Sequence, residues 1–271
     1  MTLTLIRSVR SALREVIHEQ VEFRELLFQM TSRDLLLRYK QTAMGFGWAV
    51  LMPLLNTAIF SIVFMRVAPV HTRVPYPLFA YCGLLVWNFT ASALRFAVTS
   101  LTANTNLVTK VYFPREIFPF SAVAVSLVDY AVAATVLVAM MAYYGIAPTS
   151  ALLLLPTIVA VQVMFTAALA LLLSMANLFY RDVKYLFDVA LTVWMFASAV
   201  VYPVDGITGW LGTLIRANPM TAIVDAYRSV LLYGTVPDLV SFGSVAALAI
   251  VLLPFAWLLF HRCEFQFAEN I

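Results

Sequence analysis

Charge is what this sequence has least of. Asp, Glu, Lys and Arg together make up 11% of its 271 residues, where a soluble domain carries about a quarter. With 63% hydrophobic residues and a mean hydropathy of +0.91, the chain lacks the polar surface that water would require of a folded domain. Cysteine is nearly absent. Cys82 lies inside an apolar run and Cys263 near the C-terminus, which excludes a disulfide framework as the basis of the fold. The net charge of +3 is too small to point to nucleic acid as a partner.

Catalytic motifs are missing as well. None of Lys40, Lys110 and Lys184 follows a glycine, so the loop that cradles nucleotide phosphates is excluded and the chain has no ATPase motif of its own. His18-Glu19 begins like a zinc-protease helix, but Glu22 stands where a second histidine is needed, so Glu15, His18, Glu19 and Glu22 read as a solvated face. His71 and His261 are each isolated in sequence, and neither a G-x-S-x-G elbow nor a Cys/His pairing occurs. No catalytic residue, metal ligand or bound cofactor is therefore expected. Asn88-Phe89-Thr90 matches a glycosylation sequon but lies within an apolar run.

What the chain has is long apolar runs. A helix crossing about 30 Å of hydrocarbon needs about 20 mostly apolar residues. Six runs qualify as candidates: 45–65, 74–94, 117–148, 149–180, 189–204 and 239–260. The fifth is the shortest and is bounded by Asp188 and Asp205. The expected fold is an all-α integral membrane protein with six transmembrane helices. Residues 45–271 would form the membrane domain and residues 1–44 a cytoplasmic N-terminal segment.

Two irregular regions accompany the runs. Phe23, Leu26, Leu27 and Met30 recur at helical spacing, with Glu22, Arg24, Glu25 and Gln29 around the other side. Such a helix lies along the membrane surface with its apolar face in the headgroups, or is a solvated helix packed on a partner. Between the last two runs, short apolar pieces at 206–215 and 217–224 are punctuated by Gly209, Gly212, Pro219 and Gly234. They suit re-entrant helices, the alternative being an outer loop that clings to the headgroups. Of the 17 basic residues, 13 fall on the side that holds both termini, which makes that side cytoplasmic.

Few polar residues sit in the runs. Asp129 is the one ionisable residue well inside a run, which points to a proton relay or a contact with a neighbouring helix or subunit. Trp48, Trp87, Trp194, Trp210 and Trp257 suit an interfacial belt and helix packing, or a passage in which rings stack on sugars.

Residues 104–119 read NTNLVTKVYFPREIFP. Asn104 or Asn106 can cap a short helix that Pro114 ends. Leu107, Val108, Val111 and Tyr112 then form an apolar knob projecting from the inner face, with Lys110, Arg115 and Glu116 around it. The knob suits docking into a partner's groove, or the loop folds back on the bundle.

This stretch resembles the cytoplasmic loop of the ABC transporter permeases that export bacterial O-antigen, teichoic acid and related polysaccharides. The resemblance extends to RDLLLRYKQT at 33–42 followed by GFGWA, to ANLFYRDVKY at 176–185 and to NPMTAIVDAYR at 218–228, and so covers nearly the whole chain. It implies a permease of the bacterial cytoplasmic (inner) membrane that pairs with a second copy of itself. Two copies of a separate ABC ATPase would hold the ATP and Mg and supply the energy. The substrate would be a lipid-linked polysaccharide carrying a diphosphate. By the same resemblance, residues 106–116 form a coupling helix that places Leu107, Val108, Lys110, Val111, Phe113, Pro114, Arg115 and Glu116 against the ATPase. Arg33, Asp34, Arg38 and Lys40 of the interface helix would touch the ATPase or lipid phosphates, and residues 206–224 would be gate helices. Candidate substrate-path residues are Trp87, Trp194, Tyr202 and Arg181. The alternatives are a permease for drugs or other small molecules and a proton-coupled carrier working through Asp129.

Overall fold

A backbone in hydrocarbon has no water to bond, so its N–H and C=O groups must pair within the segment, and helices do this locally. The computed structural model describes residues 18–40, 42–110, 113–204 and 206–267, and no strand occurs among them. Helix α1 is Arg24–Tyr39. Helix α2, Gly47–Ile62, continues through a π turn at Val63–Val67. Helix α3 is Tyr76–Ala103, α4 is Thr105–Lys110 and α5 is Ile117–Tyr143. A 3₁₀ turn at Ser150–Leu154 leads into α6, Leu155–Phe179. Helix α7 is Val183–Ala197, α8 is Gly209–Ala217, and α9 is Pro219–Arg228, which runs into a π turn at Ser229–Tyr233. Helix α10, Leu239–Cys263, is followed by a 3₁₀ turn at Glu264–Gln266.

Five of these stretches are long and apolar enough to cross a membrane: Gly47–Val67, Tyr76–Ala103, Ile117–Tyr143, Ser150–Phe179 and Leu239–Gln266. The chain is thus a multi-pass membrane protein. Helix α7 is not among the five. Its 15 residues rise about 22 Å, short of the hydrocarbon thickness. The run read at 189–204 is therefore only partly helical, since the helix starts earlier, at Val183, and stops at Ala197. Likewise α3 passes through Arg95 to Ala103 instead of stopping at Leu94. Hydropathy ends a run at a charge, whereas a helix continues if that charge is compensated. Here Arg95 pairs with Asp188 of α7 at 3.1 Å.

Helix α3 is the axis of the bundle. Its most apolar window is 83% buried, against 11% for α2 and 17% for α10. Helices α2 and α10 thus keep apolar faces for lipid or another chain. The Tyr81 hydroxyl of α3 donates to the Ala133 carbonyl of α5 at 2.9 Å. The Gln162 amide of α6 donates to the Val86 carbonyl and the Thr90 hydroxyl of α3 at 2.8 and 3.0 Å. Interhelical hydrogen bonds in membranes average about 0.6 kcal/mol, so these bonds fix register while close packing supplies most of the cohesion.

At one end of the bundle, Leu101, Val108, Ile117, Phe118, Leu178 and Phe260 share a buried cluster with Phe267. The ends of α3, α6 and α10 therefore meet the start of α5. The predicted stripe Phe23, Leu26, Leu27 and Met30 packs against this same cluster. The stripe is half-buried against the bundle, while Phe28, Leu36 and Leu37 of α1 stay exposed.

Candidate functional site

Helix α7 stops at Ala197, and a helix end leaves its last carbonyls without intrahelical donors. Residues 198–204 are irregular, and Ala199 has a φ of 49°, which L side chains seldom adopt. Two residues ten positions apart stitch this break. The Asn218 amide donates to the Ala197 carbonyl at 2.9 Å and the Ser198 hydroxyl at 3.0 Å. Its oxygen accepts from the Trp194 indole at 3.1 Å and caps α9 through the Met220 N–H at 3.0 Å. Arg228 donates to the Ala199 carbonyl at 3.0 Å and the Val200 carbonyl at 2.5 Å. Its guanidinium is 2% exposed, lies 3.6 Å over the Phe79 ring and sits 3.5 Å from the Asp225 carboxylate. A planar guanidinium suits this place because its donors fan out in a rigid fork. The approach works only because position 83 is glycine, where a Cβ would meet the Val200 carbonyl and lie 2.6 Å from the Arg228 guanidinium.

A second polar link joins α1 to α5. Arg38 forms an ion pair with Asp129, and the Tyr39 hydroxyl donates to the other Asp129 oxygen at 2.5 Å. The Arg38 guanidinium also lies 3.8 Å from the Phe96 ring centroid. Asp34 accepts from Arg33 at 2.8 Å and from the Ser121 hydroxyl of α5 at 2.8 Å, while Arg33 reaches Asn104 at 3.1 Å. Burial, and then the Asp129 carboxylate, push the Tyr39 phenol well above its ordinary pKa, so it remains a donor. Asp129 opens onto a groove of about 340 Å³ between α2, α3 and α5, with Trp48, Asn56, Asn88, Ser92 and Tyr130 on its walls. Amides, a carboxylate and an aromatic face together are the groups that bind hydroxyl-rich ligands. Sequence reading missed Asn56 and Asn88 as a site, although intramembrane amides were the available signal.

At the end where α3, α6 and α10 finish, a cavity of about 300 Å³ is lined by Thr99, Thr102, Thr105, Asn177, Arg181 and Lys184. Asn177 organises it by accepting the Lys184 backbone N–H at 3.2 Å. Two cations beside hydroxyls form a pocket complementary to phosphate oxygens.

The segment after α3 turns inward. Val108 is 1% exposed, and Phe113, Pro114 and Glu116 are also buried. Of the predicted apolar knob, Val108 therefore packs inward. Val108 and Phe113 gain more by joining the cluster with Leu101, Ile117 and Phe267 than they would in water. Leu107 is half-buried, and Asn106 and Thr109 carry the exposed face of α4. Helix α4 is described up to Lys110, and Val111 and Tyr112 lie outside the described residues, as do Arg7, Arg10, Arg14 and Asp205. Arg115 donates its backbone N–H to Glu264 at 3.0 Å and its guanidinium to the Glu264 carbonyl, tying the segment to α10. Burial pushes the Glu116 carboxyl above its usual range.

The four candidate path residues do not converge. Trp87 is buried and meets Trp194 edge to face at 5.5 Å, and the Tyr202 hydroxyl donates to the Phe196 carbonyl, so these three support the α7 break. Arg181 stands apart in the basic cavity. Of the interface-helix candidates, Arg33, Asp34 and Arg38 are engaged within the chain, while Lys40 is exposed.

Residues 25–232 match a family model described as ABC-2 type transporter. The chain is 29% identical over 259 residues to the O-antigen export system permease protein RfbA of Myxococcus xanthus, covering 94% of this chain and 99% of that protein. Two Klebsiella pneumoniae proteins of the same name are 27% and 28% identical, each covering 90% of this chain and 94% of its own length.

Two stability predictions follow from the geometry. Gly83→Ala should destabilise the detergent-solubilised protein by about 1–3 kcal/mol through overpacking. Gly243→Ala, where a Cβ meets open space, should be neutral or stabilising by up to about 1 kcal/mol. Equal thermal unfolding shifts for the two would contradict the close approach. For the Arg38–Asp129 pair, Arg38→Leu and Asp129→Leu should each cost about 1–3 kcal/mol, because each strands a charge. The double variant should cost less than the sum, and simple additivity in the cycle would show no coupling.

Proposed function

The chain belongs to the ABC-2 type transporter family, and from that membership we infer that it is the permease subunit of an ATP-driven exporter of O-antigen-type polysaccharide. The observation that carries this reading is similarity along nearly the whole chain to proteins named as O-antigen export permeases. Energy comes from a separate ATPase subunit, in keeping with a sequence in which no lysine follows a glycine. Closed two-fold symmetry gives two permeases and two ATPases. The permease makes no covalent change in its substrate.

In this reading the chain crosses six times. The ends of α6 and α10 lie together, which supports an outward traverse by α7 and residues 198–204 before α8, α9 and α10 bring the chain back. Helices α8 and α9 dip into the far side as re-entrant pieces braced by Arg228. Both termini face the cytoplasm of the inner membrane, as the basic residues require. The ATPase docks beneath α4, where Asn106 and Thr109 are exposed. Because Arg115 is bonded to Glu264, a push on the α4 segment reaches α10 as well as α5.

The basic cavity takes the diphosphate of the lipid-linked polymer, since Arg181 and Lys184 supply charge-assisted hydrogen bonds beside threonine hydroxyls. The groove at Trp48, Asn56 and Asn88 takes sugar hydroxyls and ring faces. The pairing of Asp129 with Arg38 removes the isolated carboxylate on which the proton-carrier alternative rested.

The test is polymer export in cells that depend on this permease, with ATPase co-purification measured in parallel. Arg181→Glu combined with Lys184→Glu should reduce surface polymer at least tenfold while the ATPase still co-purifies. Asn88→Leu should lower export several-fold with the same retention. Full export by both variants would remove the cavity and the groove from the substrate route. Full export by a complete deletion of the permease would overturn the function itself.

A further inference from the structure

His261, isolated in sequence, is not isolated in the fold. It lies on the last turn of α10, three residues before Glu264, and both face Glu116 at the N-terminal end of α5. The His261 Nδ1 is 3.6 Å from a Glu264 oxygen and 4.0 Å from a Glu116 oxygen. One donor atom from each of the three residues lies within 4.8 Å of the others. We propose that Glu116, His261 and Glu264 form a transition-metal site, best suited to zinc, that clips the segment following α4 to the end of α10.

The donor spacing fits a small modification of the present geometry. Bonds of about 2.0–2.2 Å in a tetrahedral arrangement place ligand atoms about 3.3 Å apart. Rotamer shifts of about 1 Å would close the observed triangle onto an ion.

An independent observation points to a ligand. Glu116 is 1% exposed, yet among the described residues its Oε2 has no hydrogen-bond partner, and the buried Nδ1 of His261 has none either. Leaving such groups unpaired costs about 1–3 kcal/mol each and more for a charged one, so a native chain rarely tolerates two side by side. The Glu116 Oε1 accepts from the Trp257 indole at 3.1 Å, which orients the carboxylate. Carboxylates that ligate metals are commonly held by a hydrogen bond of this kind.

Charge argues the same way. Glu116, Glu264 and nearby Glu19 face Arg115 and His261. Arg115 directs its main hydrogen bonds to the Glu264 backbone carbonyl and, through its own N–H, to the Glu264 Oε1. Among the described residues, Glu116 is then compensated by its own backbone N–H, by the neutral Trp257 indole and by an imidazole at 4.0 Å, with no guanidinium or ammonium bonded to it. A divalent cation would neutralise the excess. Mixed imidazole and carboxylate donors favour zinc over magnesium or calcium, which prefer all-oxygen sites. A cavity of about 360 Å³ reaches His261 and Glu264 from outside and is also lined by Glu19 and Phe23. It provides entry and room for water as a fourth ligand. Arg115 and Glu116 lie between α4, where the ATPase is proposed to dock, and α5, so the metal would stiffen the path by which force reaches α10. This last role rests on the proposed function, whereas the binding itself does not.

The experiment uses the full chain, purified in detergent without a histidine tag and stripped with EDTA. After equilibration with zinc chloride and removal of the excess, bound metal is counted by mass spectrometry and thermal unfolding is recorded with zinc or magnesium. The expected result is one zinc per chain and an unfolding temperature raised by zinc but not by magnesium. His261→Ala, Glu116→Gln and Glu264→Gln should each weaken zinc binding at least tenfold. His71→Ala and Cys263→Ser should leave it unchanged. Stoichiometry near zero in the unaltered chain would overturn the site, in which case the cluster holds a proton. So would zinc retained by His261→Ala, or lost in Cys263→Ser. Each variant is compared only when it elutes as the parent does, and Glu264→Gln, at the more open ligand, keeps the test decisive if Glu116→Gln misfolds.

Discussion

The Arg228 guanidinium bonds to the Ala199 and Val200 carbonyls of the irregular stretch that follows α7. The proposed topology puts this break in the hydrocarbon, where an unsatisfied backbone group costs several kcal/mol. Much of the far end of the bundle is arranged around this one answer. Gly83 removes a side chain to admit the guanidinium, Phe79 offers its ring face, and Ala199 takes a left-handed conformation to aim its carbonyl. Asn218 holds the preceding carbonyl and at the same time starts α9, so a single side chain ends one helix and begins another. Broken helices of this kind give a membrane protein places that can move without losing backbone pairing.

The other end is organised by apolar packing. The stripe on α1, the inward face of α4 and the ends of α3, α6 and α10 share one cluster, so displacement of any of them is felt by the rest. Arg38 and Asp129 extend that coupling along α5. Asp129 lies 12 residues beyond the start of α5, about 18 Å along the helix. The ion pair thus ties the C-terminal turn of α1 to the middle of a membrane-crossing helix. On the proposed function, this link would connect the ATPase-facing end of the bundle with the wall of the polar groove.

The inward turn of Val108 and Phe113 changes how that force would enter. An apolar knob reaching into a partner would transmit through its own insertion. On the proposed function, a short helix seated through Val108 would transmit through the rigidity of the cluster beneath it, with Asn106 and Thr109 outward. The bonds from Arg115 to Glu264 would carry the same displacement to α10.

Much of the fold was legible in the sequence. Runs of 20 or more apolar residues have one stable form in a bilayer, and five of the six runs became long helices for that reason. The α1 stripe and the broken pieces near 206–224 were legible for the same cause, because periodicity and Gly/Pro punctuation act locally. Hydropathy misplaced the ends of α3 and α7, since Arg95 and Asp188 compensate each other from residues 93 apart. It also left Asp129 without a partner, because Arg38 precedes it by 91 residues. The motif at 218–228 was visible as a resemblance, but its work was not, for the carbonyls it serves belong to another helix. Local chemistry determined which segments enter the membrane and in what form. Only the tertiary structure decided which charges meet and which backbone breaks are repaired, because both depend on groups brought together across tens of residues by packing.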